Sequence, residues 1–101
     1  MKFKVTVHPP VVVDVEAARA YLAEWSEKSA DQWYEAVKTQ IAGLEQMPRR
    51  FPVAAESKYV NREIRQVLVG KYRVLFTVVE QEVHVLHVRH ALLPPLERDE
   101  F

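Results

Sequence analysis

Two periods of hydrophobic residues alternate along this chain. From Lys2 to Val7 the residues run K-F-K-V-T-V, with Phe3, Val5 and Val7 on one side and lysine and threonine on the other. A period of two predicts a half-buried strand. Pro9 and Pro10 end it, since neither offers an amide to a ladder, and prolines suit the first turn of a helix. Val11 to Val13 is a poor helix opening because β-branched residues lose rotamer freedom there. Asp14 is a candidate cap for a later start, so the boundary falls between Pro10 and Asp14. Val15, Ala18, Leu22 and Trp25 then follow at spacings of three, four and three, one apolar stripe of a helix. Ser29, with Gln32 three residues on, reads as the capping box of a second helix. Its stripe is Tyr34, Val37, Ile41 and Leu44, with Trp33 beside it, and Pro48 stops it. The short Glu27-Lys28-Ser29 connection makes the pair an antiparallel hairpin.

Pro48 to Asn61 is irregular, and from Arg62 the period of two returns through Ile64, Val67 and Val69. Two further apolar runs follow, Tyr72–Val79 and Val83–His90, joined by Glu80-Gln81-Glu82. Loops this short favour an antiparallel meander, because parallel pairing needs a crossover of about a dozen residues. Pro94 and Pro95 end the pattern, and Leu96 to Phe101 reads as a charged tail. The order is β-α-α-β-β-β, an α+β fold. A helical hairpin, Pro10–Glu27 and Ser29–Met47, is expected on an antiparallel sheet of Phe3–Val7, Glu63–Val69, Tyr72–Val79 and Val83–Arg89.

A length of 101 residues, 49% of them hydrophobic and 10% aromatic, predicts one domain over 1–101 with 94–101 as its tail. No apolar run reaches the roughly 18 residues of a membrane span, and the N-terminus shows no signal-peptide core. With no cysteine, disulfides and thiolate metal sites are excluded, and a cytoplasmic protein is expected. Fourteen basic residues balance fourteen acidic ones. Bulk charge thus gives no support for a general nucleic-acid binder, although a local patch is allowed.

Several fragments occur in a telling order. Lys2-Phe3-Lys4-Val5 runs through Pro9 to Asp14-Val15. Ala30-Asp31-Gln32-Trp33 leads to Leu44-Glu45-Gln46-Met47-Pro48-Arg49-Arg50. Arg62-Glu63-Ile64-Arg65 precedes Val67-Leu68-Val69-Gly70-Lys71-Tyr72-Arg73-Val74-Leu75-Phe76, and the last apolar strand ends at His90. Together they resemble the RelE/ParE superfamily of bacterial toxins over Lys2 to His90. The G-K-Y-R-V-L-F run is similar to the ParE-like branch. The ribonuclease branch usually has an arginine where this chain has Leu68 and Val69, and basic or aromatic residues where it has Ala91-Leu92-Leu93-Pro94-Pro95.

The resemblance implies the toxin of a type II toxin–antitoxin system, with a cognate antitoxin as partner and DNA gyrase as target. The first alternative it implies is a RelE-like, ribosome-dependent mRNA endoribonuclease using 2′-hydroxyl attack. The second is an inactive antitoxin-binding module. An oligomer with the antitoxin is allowed, and neither a membrane nor a cofactor is implied.

The residues themselves offer several candidates. His84, His87 and His90 invite a metal reading, but strand alternation places His84 and His90 on one face and His87 on the other, so no metal site is expected. Arg73, Thr77, His87 and Arg89 face away from the helices if Tyr72, Val74, Phe76 and Val78 pack inward. They form either a cationic shelf, with histidine available for proton exchange, or a plain solvated face. If the chain is a ribonuclease, Arg73, Arg89 and His90 are the catalytic candidates. For target binding the set is Lys71, Arg73, His87, Arg89 and His90. Leu22 and Trp25 are candidates for partner binding, although Trp25 and Trp33 also suit a helix–sheet core. Arg49 and Arg50 follow a helix, where cations complement its carbonyl end.

Overall fold

The computed structural model describes residues 2–101. Strand β1 (Lys4–Val7) leads into helices α1 (Pro9–Ala23) and α2 (Glu27–Gly43). Turns of 3₁₀ helix at Pro48–Arg50 and Ala55–Lys58 precede β2 (Arg65–Val69), β3 (Tyr72–Val79) and β4 (Glu82–His90), and another lies at Arg98–Glu100. Among the described residues the strands form a four-stranded sheet in the order β1-β4-β3-β2. The expected α+β arrangement, a helical hairpin on one face of a sheet, is observed. β2, β3 and β4 form the antiparallel meander, but β1 lies parallel to β4, with Val5 opposite Val83 and Val7 opposite Val85. The sheet is therefore mixed rather than wholly antiparallel. The long stretch of chain between β1 and β4 supplies the crossover that a parallel pair requires.

Both helices begin earlier than the sequence pattern suggests. His8 is the extended N-cap of α1, and Pro9 and Pro10 fill its first positions, where the missing amides have no intrahelical partner to lose. Val11 to Val13 thus lie inside the helix, and Asp14 caps nothing. For α2 the N-cap is Ser26 rather than Ser29, and the Ser29 amide donates to the Ser26 hydroxyl at 3.1 Å. The turn between the helices accordingly contains Trp25, carried past the end of the apolar stripe and left 78% exposed. Trp25 does not seal the core. Trp33 does, and its indole N–H donates to the Val69 carbonyl at 3.0 Å.

The main core lies between the helices and the front of the sheet. Val11, Val15, Ala18, Trp33 and Val37 meet Tyr72, Val74, Phe76, Val83, Val85 and Val88 there. The β2–β3 turn is closed by Gly70 at φ +61°, and a Cβ at this position would lie 3.4 Å from Trp33. Left-handed backbone close to an indole suits glycine.

The back of the sheet is covered as well. Ala54, Val60, Ile64, Leu75, Leu86 and Leu96 form a second, smaller core with Phe101 packed against it. The irregular stretch after α2 and the segment read as a charged tail therefore both lie on the sheet. Leu96 is only 5% exposed, while Leu92, four residues earlier, is 88% exposed.

One irregularity controls which side chains meet. Between β3 and β4, Leu75 faces His87 but Phe76 faces Val85, which leaves Leu86 as the extra residue of a β-bulge. Alternation is reset at that point. His84 and His87, opposite Thr77 and Leu75, share the back face, whereas His90, opposite Tyr72, is on the front. This reverses the grouping expected from unbroken alternation.

Leu96→Ala should lower stability by about 2–5 kcal/mol, the usual cost of emptying a buried leucine site. Leu92→Ala should stay within about 0.5 kcal/mol. Urea denaturation midpoints compare the two, and equal effects would place the C-terminal segment off the sheet.

Candidate functional site

Arg73 faces away from the helices, as expected, but it forms no open shelf. It is 7% exposed and donates to both carboxylate oxygens of Glu56, at 2.8 and 2.7 Å. Glu56, from the 3₁₀ turn that covers the sheet, is 0% exposed, and the Leu96 amide donates to its Oε2 at 3.0 Å. Burial by itself pushes the Glu56 pKa up. The Arg73 hydrogen bonds, the amides of Leu96 and Glu56, and the Arg73 charge outweigh that and hold the carboxyl below the usual glutamate range. Gln66 also accepts from Arg73 at 3.1 Å. Among the described residues no buried side-chain nitrogen or oxygen lacks a partner. Neither a solvated face nor a cationic shelf describes this region.

The other back-face candidates are engaged as well. His87 Nδ1 lies 3.1 Å from Asp14 Oδ2, which also accepts the Val88 amide at 2.9 Å. Asp14 thus serves the edge of β4 beyond the point where β1 stops. The Phe101 ring meets His87 edge-on at 5.3 Å. Arg89 donates through Nε to the Pro94 carbonyl at 2.6 Å. Arg50 donates to the Gln46 and Met47 carbonyls just beyond α2, in line with the helix-end role.

The front face holds the more open arrangement. A cavity of about 470 Å³ at the far end of the helical hairpin is lined by Tyr21, Leu22, Trp25, Ser29, Trp33, Gly70, Lys71, Tyr72 and His90. Tyr72 is flanked by Trp33 at 4.9 Å and by His90 at 5.0 Å between ring centroids. Burial, with a smaller contribution from Tyr21, raises the Tyr72 pKa, so its phenol keeps its proton at neutral pH. His90 Nδ1 accepts the Leu92 amide at 3.1 Å, and this fixes the proton on Nε2 when the ring is neutral.

Four sequence-derived candidates, Leu22, Trp25, Lys71 and His90, therefore meet in one cavity. Arg73, His87 and Arg89 do not line it. The proposed catalytic trio is split: Arg73 lies on the back and His90 on the front, while Arg89, opposite Arg73, borders a shallow pocket together with His90 at the end of β4. Glu56 and Asp14 escaped sequence reasoning as partners of these residues. Glu56 sits in a stretch with no period to read, and Asp14, beside a helix start, carries only the signal of a cap.

This architecture recurs in solved structures of other proteins. The chain superimposes on the chromosomal ParDE TA system from P. aeruginosa with a TM-score of 0.68 at 15% identity, covering 88% of this chain and 96% of that one. It also matches the archaeal RelE-RelB complex from Pyrococcus horikoshii OT3, with a TM-score of 0.60 at 18% identity over 93% and 100% of the respective chains. At such identities the likeness is one of fold. Among curated proteins none matches the sequence. The family model for the ParE toxin of the type II toxin–antitoxin system, parDE, matches residues 5–92, and the chain belongs to that family. Among the described residues no helix is long and apolar enough to cross a membrane.

Arg73→Ala should destabilise the fold by about 3–5 kcal/mol, because it leaves a buried carboxylate without its cation. Joint replacement, Glu56→Leu with Arg73→Met, should recover most of that loss. The pH dependence has a definite sign. The folded pKa of Glu56 lies below its unfolded value of about 4.3, so its stabilisation is present above that pH and lost as pH falls through the folded value. Glu56→Gln should flatten this part of the acid limb in denaturant titrations. An unchanged acid limb would contradict the pairing.

Proposed function

We propose that this family member acts by binding, with DNA gyrase as its target, and that a cognate antitoxin neutralises it. The observation that carries a binding mode is the separation of Arg73 from His90 on opposite faces of the sheet. General acid–base catalysis needs its groups within hydrogen-bond reach of the same reacting atoms. Arg73 is moreover committed to Glu56. Binding asks only for accessible, complementary surface, which the cavity around Trp25, Lys71 and His90 offers.

Antitoxin control follows from the same cavity. Leu22 and Trp25, the partner-binding candidates, line it together with Lys71 and His90, the target-binding candidates. An antitoxin segment seated on Trp25 covers Lys71 and His90 as well, so neutralisation and target contact exclude each other. Exposed tryptophan is a common interface anchor. Both structural neighbours are toxin–antitoxin systems, which supports a partner of this kind.

The chain should inhibit gyrase-dependent supercoiling and leave translating mRNA uncut. Lys71→Ala should weaken that inhibition, with His90→Ala milder, because no proton is transferred. Trp25→Ala should weaken antitoxin binding by about thirtyfold or more, the scale of an anchor residue, while leaving the fold intact. Site-specific mRNA cuts that vanish with His90→Ala would establish the ribonuclease alternative instead. Silence in both assays, with antitoxin binding retained, would identify an inactive binding module.

A further inference from the structure

We propose that His8 and His84 form a binding site for a divalent transition-metal ion of the zinc, nickel and copper class. The inference is independent of the toxin reading. His8 closes the step from β1 into α1, and its amide donates to the Val85 carbonyl at 2.9 Å, which fixes its backbone against β4. His84 projects from the back of β4, opposite Thr6 on β1 and Thr77 on β3. Their rings meet edge-on at 80°, with His8 Nε2 and His84 Nδ1 2.9 Å apart.

Two ring nitrogens aimed at each other share one proton or one metal ion. A tetrahedral ion with metal–nitrogen bonds of about 2.0–2.1 Å sets its nitrogens roughly 3.3 Å apart. The observed separation is shorter than this, and for an ion to enter each ring must also turn so that its lone pair points about 35° off the line between the two nitrogens, as tetrahedral geometry requires. Imidazole nitrogen is a preferred donor for zinc, nickel and copper, whereas magnesium and calcium favour oxygen.

The surroundings favour His84 as a ligand. Glu82 Oε1 lies 3.5 Å from His84 Nε2, the nitrogen that points away from His8. A carboxylate behind a histidine ring stabilises the Nε2–H tautomer and leaves the Nδ1 lone pair for the metal. His8 Nε2 frees its own lone pair by shifting its proton to Nδ1. Both histidines also line a cavity of about 360 Å³ on the back of the sheet, which provides room for water in the remaining coordination positions. The site does not use the H-x-x-H-x-x-H pattern: His87 Nδ1 faces Asp14 and His90 lies across the sheet.

The test is calorimetric titration of the full chain with zinc chloride in a non-coordinating buffer. One saturable site is expected. His8→Gln and His84→Gln should each weaken it by at least about tenfold, the lower end of what even an outer-shell change costs. His87→Gln and His90→Gln should leave it unchanged. Nitrogen-15 spectra of the unmodified chain give a readout that no variant's folding affects: zinc should shift His8 Nε2 and His84 Nδ1 selectively. Absence of saturable zinc binding would overturn the proposal and leave a plain imidazole–imidazole hydrogen bond. Zinc binding that persists in both His8→Gln and His84→Gln, for example at the exposed cluster of Glu97, Asp99 and Glu100, would overturn it equally.

Discussion

The carboxylate of Glu56 is the point on which the back of this structure depends. It neutralises Arg73 in the middle of the sheet and takes the Leu96 amide as well, joining chain regions at residues 56, 73 and 96. An arginine buried on β3 without a counter-charge would be strongly destabilising, and a buried carboxylate without a cation equally so. Each therefore requires the other, and together they require the segments that exclude water from them. Those segments contribute Ala54, Val60 and Leu96 to the second core. A sheet of this kind often leaves one face to solvent. Here both faces are covered, and a charge pair is at the centre of the smaller layer.

The bulge at Leu86 is the second constraint. A single extra residue moves every later side chain of β4 to the opposite face. It puts Leu86 into the back core, groups His84 with His87, and sends His90 to the front beside Tyr72. The composition of both faces thus follows from a backbone feature as much as from residue identity. Adjacent burial of Val85 and Leu86 does not betray it in the sequence, because with both faces covered regular alternation also buries neighbours, as Val74 and Leu75 show on β3.

Much of the fold was legible because hydrophobic periodicity reports which side of an element is buried. The meander from β2 to β4, the inward set Tyr72, Val74 and Phe76, and the stripe on α2 all follow that rule. Periodicity does not report which strand lies alongside, so the parallel pairing of β1 with β4 was invisible. It also cannot choose between two serines three residues apart. Ser26 and Ser29 both suit an N-cap, and the choice decides whether Trp25 ends a helix face or sits in an exposed turn. At the candidate site the gap has a similar origin. Arg73 could be assigned to the back face from its own strand, but its partner lies in a stretch without a period, 17 residues away.

These constraints also separate two kinds of surface. On the back, Arg73, His87 and Arg89 are each held by a native contact, with Glu56, Asp14 and the Pro94 carbonyl in turn. A group committed in this way must break a native contact before it can make a new one, and for Arg73 that means exposing a buried carboxylate. On the front, Trp25 and Lys71 flank a cavity with an aromatic floor formed by Trp33 and Tyr72. That floor is rigid because the Trp33 indole is tied to the Val69 carbonyl and Gly70 passes close beneath it. Rigid aromatic surface beside an exposed anchor and a cation needs little reordering when a partner arrives, and that lowers the entropic cost of association. A recognition surface is therefore better placed on the front than on the back, even though the back carries more of the residues whose chemistry first attracts attention.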